Sequence, residues 1–155
     1  MLRLDRAGVA AICGQAREEY PAECCGILSA AAGSDLSRAH RCTNIQDQLH
    51  ARAPVEYPGR SGQAYYVDPG DQFRIFTQIE RSGGRITGFY HSHVDGAAHF
   101  SDEDRRRAML GDDPAFPDAA YLVVAIDGNG RCGHRAYRWQ PATRTHAEIQ
   151  VEVVS

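Results

Sequence analysis

Gly88-Phe-Tyr-His-Ser-His-Val-Asp-Gly-Ala-Ala-His-Phe-Ser-Asp-Glu-Asp104 is the stretch on which the fold turns. It holds His91 and His93, a gap of seven residues, then Ser101, two residues and Asp104. Arg85 to Ser92, with apolar and aromatic residues throughout, reads as a strand that ends in the histidines. In a strand, residues i and i+2 point to one face about 7 Å apart along the chain. Both imidazoles can therefore reach one metal ion. A carboxylate from the next element would complete a three-ligand zinc site and leave the fourth position to water, as in catalytic rather than structural zinc. Each piece also has an ordinary alternative. A bare His-x-His at a strand end is commonly exposed or satisfied by hydrogen bonds. Ser101-x-x-Asp104 matches a capping box, in which serine and acid satisfy free N–H groups at a helix start. The two readings of that pair are compatible, because a helix opening right after the histidine loop aims its first turn back at the strand end.

Outward from this stretch, the chain mixes helices and strands. Leu2 to Leu4 reads as a short edge strand, and Asp5 as the cap of a helix from Arg6 to about Glu19. Tyr20-Pro21 stops that helix, since the residue before proline disfavours the helical region. Cys25 to Ala31 is an apolar run of strand length, which puts Glu23 at the mouth of a strand. Ser37 to Thr43 and Gln63 to Val67 read as further strands, separated by an irregular segment from Asn44 to Gly62. Asp68, Pro69 and Asp71 mark a helix start; Phe73, Phe76 and Ile79 form its expected buried face. In the histidine strand, alternation puts Ile86, Gly88 and Tyr90 on one face and Thr87, Phe89, His91 and His93 on the other. A helix is expected from Ser101 through Leu110, then a strand from Ala119 to Ile126, a hairpin turn at Asp127-Gly-Asn-Gly130, and a return to Trp139. Ile149, Val151 and Val153 alternate with polar residues, as in a half-buried last strand.

Composition narrows the class. The 155 residues suit one domain, and 24% charged with 43% hydrophobic residues is ordinary for a globular chain. A net charge of -3 with no basic block gives nucleic acid no footing as a partner. The polar start and the lack of a long apolar run argue against a signal peptide and a membrane span. Cysteines 13, 24, 25, 42 and 132 are odd in number, which argues for reduced thiols and a cytoplasmic protein. Among other candidates, His99 reads as a solvated loop histidine and Cys24 and Cys25 as small buried residues. Asp95 is expected to be exposed or to accept a hydrogen bond within its loop. Asp102 to Arg107 reads as a solvated helix face, with acids at the positive end of the helix dipole and arginines at the other.

A glutamate before Cys24-Cys-Gly26, then His91-x-His93, Ser101 and Asp104 at these spacings, resembles the JAMM motif of the MPN/JAB metallopeptidases. Tyr20-Pro-Ala-Glu-Cys-Cys-Gly26, Asp68-Pro69 and the Gly88-Phe-Tyr90 lead-in resemble the short prokaryotic members, so the likeness runs from about Leu4 to Trp139. It implies one domain over 1–155 with a cytidine-deaminase-like α/β fold (α+β), a mixed and mostly antiparallel central sheet flanked by helices. It implies that His91, His93 and Asp104 bind Zn2+, that Glu23 is general base and then acid, and that Ser101 helps stabilise the oxyanion. The implied reaction is hydrolysis of the amide bond after the C-terminal Gly-Gly of a ubiquitin-like or sulfur-carrier protein, by a peptidase, isopeptidase or deubiquitinase-like enzyme. The tail would enter as an extended strand, as tails that pair with a sheet edge do. A non-catalytic binding module that keeps the metal is the alternative. A small-molecule deaminase ranks lower, because its His-x-Glu and Pro-Cys-x-x-Cys signature is missing. Val94 stands where the family usually has proline, which would stiffen the loop. The segment 44–62 is longer than in compact members and reads as either a substrate-contacting segment or a mobile loop. Oligomeric state stays open, a homodimer included.

Overall fold

Asp5 closes the first strand and caps the first helix. β1 covers Leu2–Asp5 and α1 covers Arg6–Glu19 in the computed structural model, which describes all 155 residues. The Asp5 carboxylate accepts the Gly8 N–H at 2.6 Å, as an N-cap does. The buried face of α1 carries Ile12, Cys13, Gln15 and Ala16. Gln15 is polar yet buried, and both ends of its amide are satisfied. Its Nε2 donates to the Cys25 carbonyl at 3.0 Å and its Oε1 accepts from the Tyr90 hydroxyl at 2.6 Å. These bonds seat α1 on β2 (Cys25–Ala30) and β4 (Arg85–Val94), the strands that flank the candidate site.

Around β2 and β4 the sheet runs β10-β1-β3-β2-β4-β7-β8-β9. Here β3 is Leu36–Cys42, β7 Ala120–Ile126, β8 Cys132–Gln140, β9 Thr145–Ile149 and β10 Val151–Val154. β2 pairs antiparallel with β3 and β4, and β8 with β7 and β9; β4–β7, β1–β3 and β1–β10 are parallel. The expected mixed, mostly antiparallel sheet is present. Two expectations at its ends are corrected. The single last strand is two strands joined at Gln150, one on β8 and one on β1. Consequently β1 is no edge strand: it lies between β10 and β3.

A bulge sets the face of β4. Leu28 opposes Gly88 and Ser29 opposes Ile86, so Thr87 is an extra residue with no partner across the ladder. Its hydroxyl bonds Ser37 at 2.7 Å instead. The strict alternation expected for β4 fails at this point, and Ile86 joins Phe89 on the cluster around Ile27, Ile75 and Ile79. Tyr90 stays on the opposite face, in the core with Leu4, Ile12 and Leu122. Past the bulge the alternation is regular, so His91 and His93 share a face. Gly88 is needed for the approach of β7: a Cβ there would lie 2.1 Å from the Ala120 carbonyl oxygen.

Between β3 and β4 the chain departs further from expectation. The irregular segment contains α2 (Gln46–Arg52), and Gln63 to Val67 is no strand, only an isolated bridge from Val67 to Asn44. α3 (Pro69–Arg81) starts as expected, with Asp68 accepting the Gly70 N–H. It buries Ile75 and Ile79, while Phe73 is 76% exposed, so the expected Phe73 face is wrong by part of a turn. α4 is Asp102–Arg107, shorter than expected, because Met109–Leu110 (β5) and Asp113–Pro114 (β6) form a small hairpin after it.

Packing of α1 against the β7–β8 hairpin joins Cys13 to Cys132 in a disulfide, with their Cα atoms 6.0 Å apart. The expectation of five reduced thiols is thereby corrected; a sequence separation of 119 hid the pairing. Cys24, Cys25 and Cys42 are free and buried, as expected for small core residues. No helix is long and apolar enough to cross a membrane.

Candidate active site

Three elements deliver the predicted residues to one point. β4 presents His91 and His93, α4 presents Asp104 in its first turn, and the residue pair before β2 brings Glu23. Asp104 Oδ1 lies 3.2 Å from His91 Nε2, Asp104 Oδ2 lies 3.2 Å from His93 Nε2, and the two Nε2 atoms are 3.1 Å apart. Tetrahedral zinc with bonds of about 2.0–2.1 Å holds neighbouring ligand atoms roughly 3.3 Å apart, close to these separations, with each carboxylate oxygen of Asp104 facing one histidine. Protons alone satisfy this arrangement poorly, since two imidazole nitrogens that face each other can share only one. His93 Nδ1 donates to the Ala97 carbonyl at 3.0 Å, which leaves Nε2 as the bare lone pair a metal takes. The donor set therefore fits Zn2+.

Glu23 also groups with the histidines: its carboxylate and both imidazoles come within 4.8 Å of one another. Asp104 faces both histidines at 3.2 Å, and Glu23 stands beside the same pair. Burial drives the Glu23 carboxyl up to about 7, against the pull of His93. Burial also works against ionisation of Asp104, but hydrogen bonds from His91 and His93 and from the Ser101 N–H win and hold it well below the usual carboxylate range. For the imidazoles, burial lowers His91; at His93 burial also pulls down, but the hydrogen bond and charge of Asp104, the Ala97 carbonyl and the Glu23 charge together overcome it and the net shift is upward. Two carboxyls pushed apart by their surroundings are the usual division between a ligand and a general base.

Ser101 and Asp104 serve the helix as well as the site. Ser101 Oγ accepts the Asp104 N–H at 3.1 Å and Asp104 Oδ2 accepts the Ser101 N–H at 3.0 Å. The capping box is real, and it fixes the carboxylate against the histidines. Cys24 beside Glu23 is no nucleophile, because burial pushes its thiol up to about 11.

The segment 44–62 is tied to Glu23 rather than loose. Asn44 Nδ2 donates to the Glu23 carbonyl at 2.8 Å, and its Oδ1 accepts from the Gln46 and Tyr66 amides at 2.9 and 3.0 Å. The Glu23 N–H donates to the Ser61 carbonyl at 2.6 Å. Tyr65, three residues past that segment's end at Gly62, stacks on His91 with ring centroids 4.4 Å apart. Asn44 and Tyr65 were missed from sequence, where neither has a local pattern. Arg107 was misread as solvated. It packs over the Tyr65 and Tyr66 rings at 5.5 and 5.8 Å. Its three-residue spacing from Asp104, which puts both on one helix face, was the available signal.

Val94 continues the ladder opposite Ile126, and the turn falls at Asp95, whose φ is 54°. Aspartate tolerates that left-handed region better than most residues. The Asp95 N–H donates to the Ile126 carbonyl at 2.8 Å, and its carboxylate accepts the Tyr20 hydroxyl at 2.8 and 3.0 Å. Tyr20 stands just before the Glu23 segment, so this bond straps that segment to the loop after His93, where a proline would stiffen the loop alone. Tyr20→Phe is expected to lower the urea midpoint slightly at unchanged m and to slow turnover a few-fold at unchanged zinc content.

Residues 5–140 match the family model for prokaryotic homologs of the JAB domain. The chain belongs to that family. A CysO-cysteine peptidase of Mycobacterium tuberculosis is 28% identical over 143 residues, spanning 92% of this chain and 86% of the relative. A JAB1/MPN domain protein from Archaeoglobus fulgidus shares the fold with a TM-score of 0.56 at 17% identity, over 99% of this chain and 97% of its own. A protein from Desulfitobacterium hafniense does so with a TM-score of 0.71 at 19% identity, over 100% and 94%. For a JAB-family chain, the peptidase relative and the paired histidines and carboxyls together support a hydrolase of the peptidase type.

Proposed function

We propose that this JAB-family chain is a zinc-dependent cytoplasmic peptidase that hydrolyses the amide bond after the C-terminal Gly-Gly of a sulfur-carrier or ubiquitin-like protein. The carrying observation is that the Nε2 atoms of His91 and His93, 3.1 Å apart, each lie 3.2 Å from one carboxylate oxygen of Asp104, with Glu23 buried beside them. The similarity to a peptidase named for CysO-cysteine points the reading toward a carrier bearing a terminal amino acid. Zn2+ held by His91, His93 and Asp104 would lower the pKa of a water and polarise the scissile carbonyl. Glu23 takes the proton from the attacking water and hands it to the departing amine, which a carboxyl near neutrality is suited to do. The Ser101 hydroxyl keeps its own hydrogen free, because its oxygen accepts from Asp104, and directs that hydrogen at the charge developing on the carbonyl oxygen. Asp104, held by Ser101, keeps the histidines aligned.

The second reading, a binding module without turnover, has to account for a buried acid, Glu23, whose backbone is held beside the histidines by bonds to Asn44 and Ser61. The test is intact-mass measurement of a Gly-Gly sulfur carrier extended by one cysteine, incubated with zinc-loaded protein. Loss of the cysteine alone is expected. Tight binding without cleavage under zinc-replete conditions would overturn the peptidase in favour of the module.

A further inference from the structure

Arg107 closes α4 one helical turn beyond Asp104, on the same side of the helix. Its side chain is 27% exposed and lines a groove of about 670 Å3 with Tyr65, Tyr66, Val67, Phe73 and Phe76. No other lysine or arginine lines that groove. The other arginines of α4 are engaged elsewhere: Arg105 bonds the His146 carbonyl, and Arg106 pairs with Glu103 at the surface.

The guanidinium is held rather than mobile. Its Nε donates to Glu103 at 3.2 Å, Nη1 to the Tyr65 carbonyl, and Nη2 to Gln46 Oε1 at 3.4 Å. Five N–H groups minus these three leave one on each terminal nitrogen, the arrangement a carboxylate can take. Glu103 does not cancel the charge, because it is 45% exposed and shared with Arg106. The guanidinium also reaches toward the site, since it lies over the Tyr65 ring that stacks on His91. Arg107 thus stands on the Tyr65 side of the histidines, one turn beyond Asp104.

From this placement we propose that Arg107 binds the α-carboxylate of a single departing amino acid, so that the enzyme releases a terminal residue rather than cutting isopeptide bonds. The inference rests on the peptidase reading above. In an α-amino acid the amine and the carboxylate share one carbon, so an amine at Glu23 brings its carboxylate to a cation on that side. A lysine joined through its side-chain nitrogen has four methylenes there and offers the guanidinium nothing. Hydrolysis breaks the C–N bond and adds water across it, leaving the carrier with a free carboxylate and the amino acid with a free amine.

Two carriers decide the matter, one ending Gly-Gly-Cys with a free carboxylate and one with the same residue as its carboxamide. The zinc-loaded protein is expected to favour the acid roughly 10–100-fold in kcat/KM, as a charged hydrogen bond allows. Arg107→Gln brings the ratio to about one, mainly through KM, while Arg107→Lys retains part of it and guards against a folding defect. A parallel calorimetric comparison needs no turnover. Cysteine and cysteamine share thiol and amine and differ in the carboxylate, so the zinc-loaded protein binds cysteine more tightly, and Arg107→Gln abolishes the difference. Equal treatment of acid and amide, or of cysteine and cysteamine, or a preference that survives Arg107→Gln, overturns the proposal. Failure to cleave either carrier while the cysteine preference holds would instead sink the peptidase reading alone.

Discussion

Glu23→Gln lowers kcat by about 10²–10⁴-fold, the range of a lost general acid–base group, and leaves zinc bound at one ion per chain. The substitution keeps the shape of the side chain. The Glu23 backbone bonds to Asn44 and Ser61 do not involve the carboxyl, so the residue stays in place. Metal analysis beside single-turnover rates separates this result from loss of a ligand: if zinc departs with activity, Glu23 is a ligand and not a base. The same variant carries a pH signature in the metal-free protein. Burial raises the Glu23 carboxyl from 4.5 to about 7 in the folded state. A group raised in this way favours folding fully below its unfolded value, and that contribution is lost as pH rises through about 7. The neutral amide loses nothing over that window. Urea midpoints of Glu23→Gln and wild type, both metal-free, should therefore separate in favour of the variant as pH goes from 5 to 8.

Asp104→Ala removes a metal ligand and a cap together, and a third variant separates the two. Alanine gives up the acceptor for the Ser101 N–H and the contacts at 3.2 Å to both histidines. Zinc affinity is expected to fall by more than about 100-fold, beyond the 10–100-fold that loss of a supporting partner costs. Helix stability falls by about 1 kcal/mol for the cap. Asp104→Asn keeps an oxygen for the Ser101 N–H but loses the charge, so the cap is largely retained while zinc is still lost. Competition with a chelating dye measures the first quantity and chemical denaturation the second. Undiminished zinc affinity in Asp104→Ala would return the pair to an ordinary capping box.

Much of the candidate site could be read from residue order because its parts lie close in sequence. His91, His93, Ser101 and Asp104 span one strand end, one loop and one helical turn, and the periods of strand and helix place them. Glu23 is 68 residues before His91, and only its resemblance to a family segment located it. What stayed hidden depends on the path of the chain from Asn44 to Val67. α2 lacks a side-chain cap, since Ile45 stands at that position, so a short polar helix looked like loop. The Phe73, Phe76, Ile79 pattern is a fair amphipathic stripe, but the helix turns it so that Phe73 borders the groove. No local pattern reports a stack such as Tyr65 on His91, which joins segments 26 residues apart. Thr87 shifted half of β4 by a bulge that apolar alternation cannot reveal.

The joint at Gln150 bears on the order in which the molecule assembles. β1 and β10 pair Leu2 with Val151 and Leu4 with Val153, and Arg3 bonds Glu152 across 149 positions. Long-range pairing of this kind must overcome the entropy of closing nearly the whole chain, so it forms late. Glu23, the histidines and Asp104 all precede residue 105, on elements that a growing chain completes well before its last residues leave the ribosome. Until then β1 lacks its outer neighbour, and the half that carries the candidate site can fold while the seam that holds the two ends of the sheet is still unstitched.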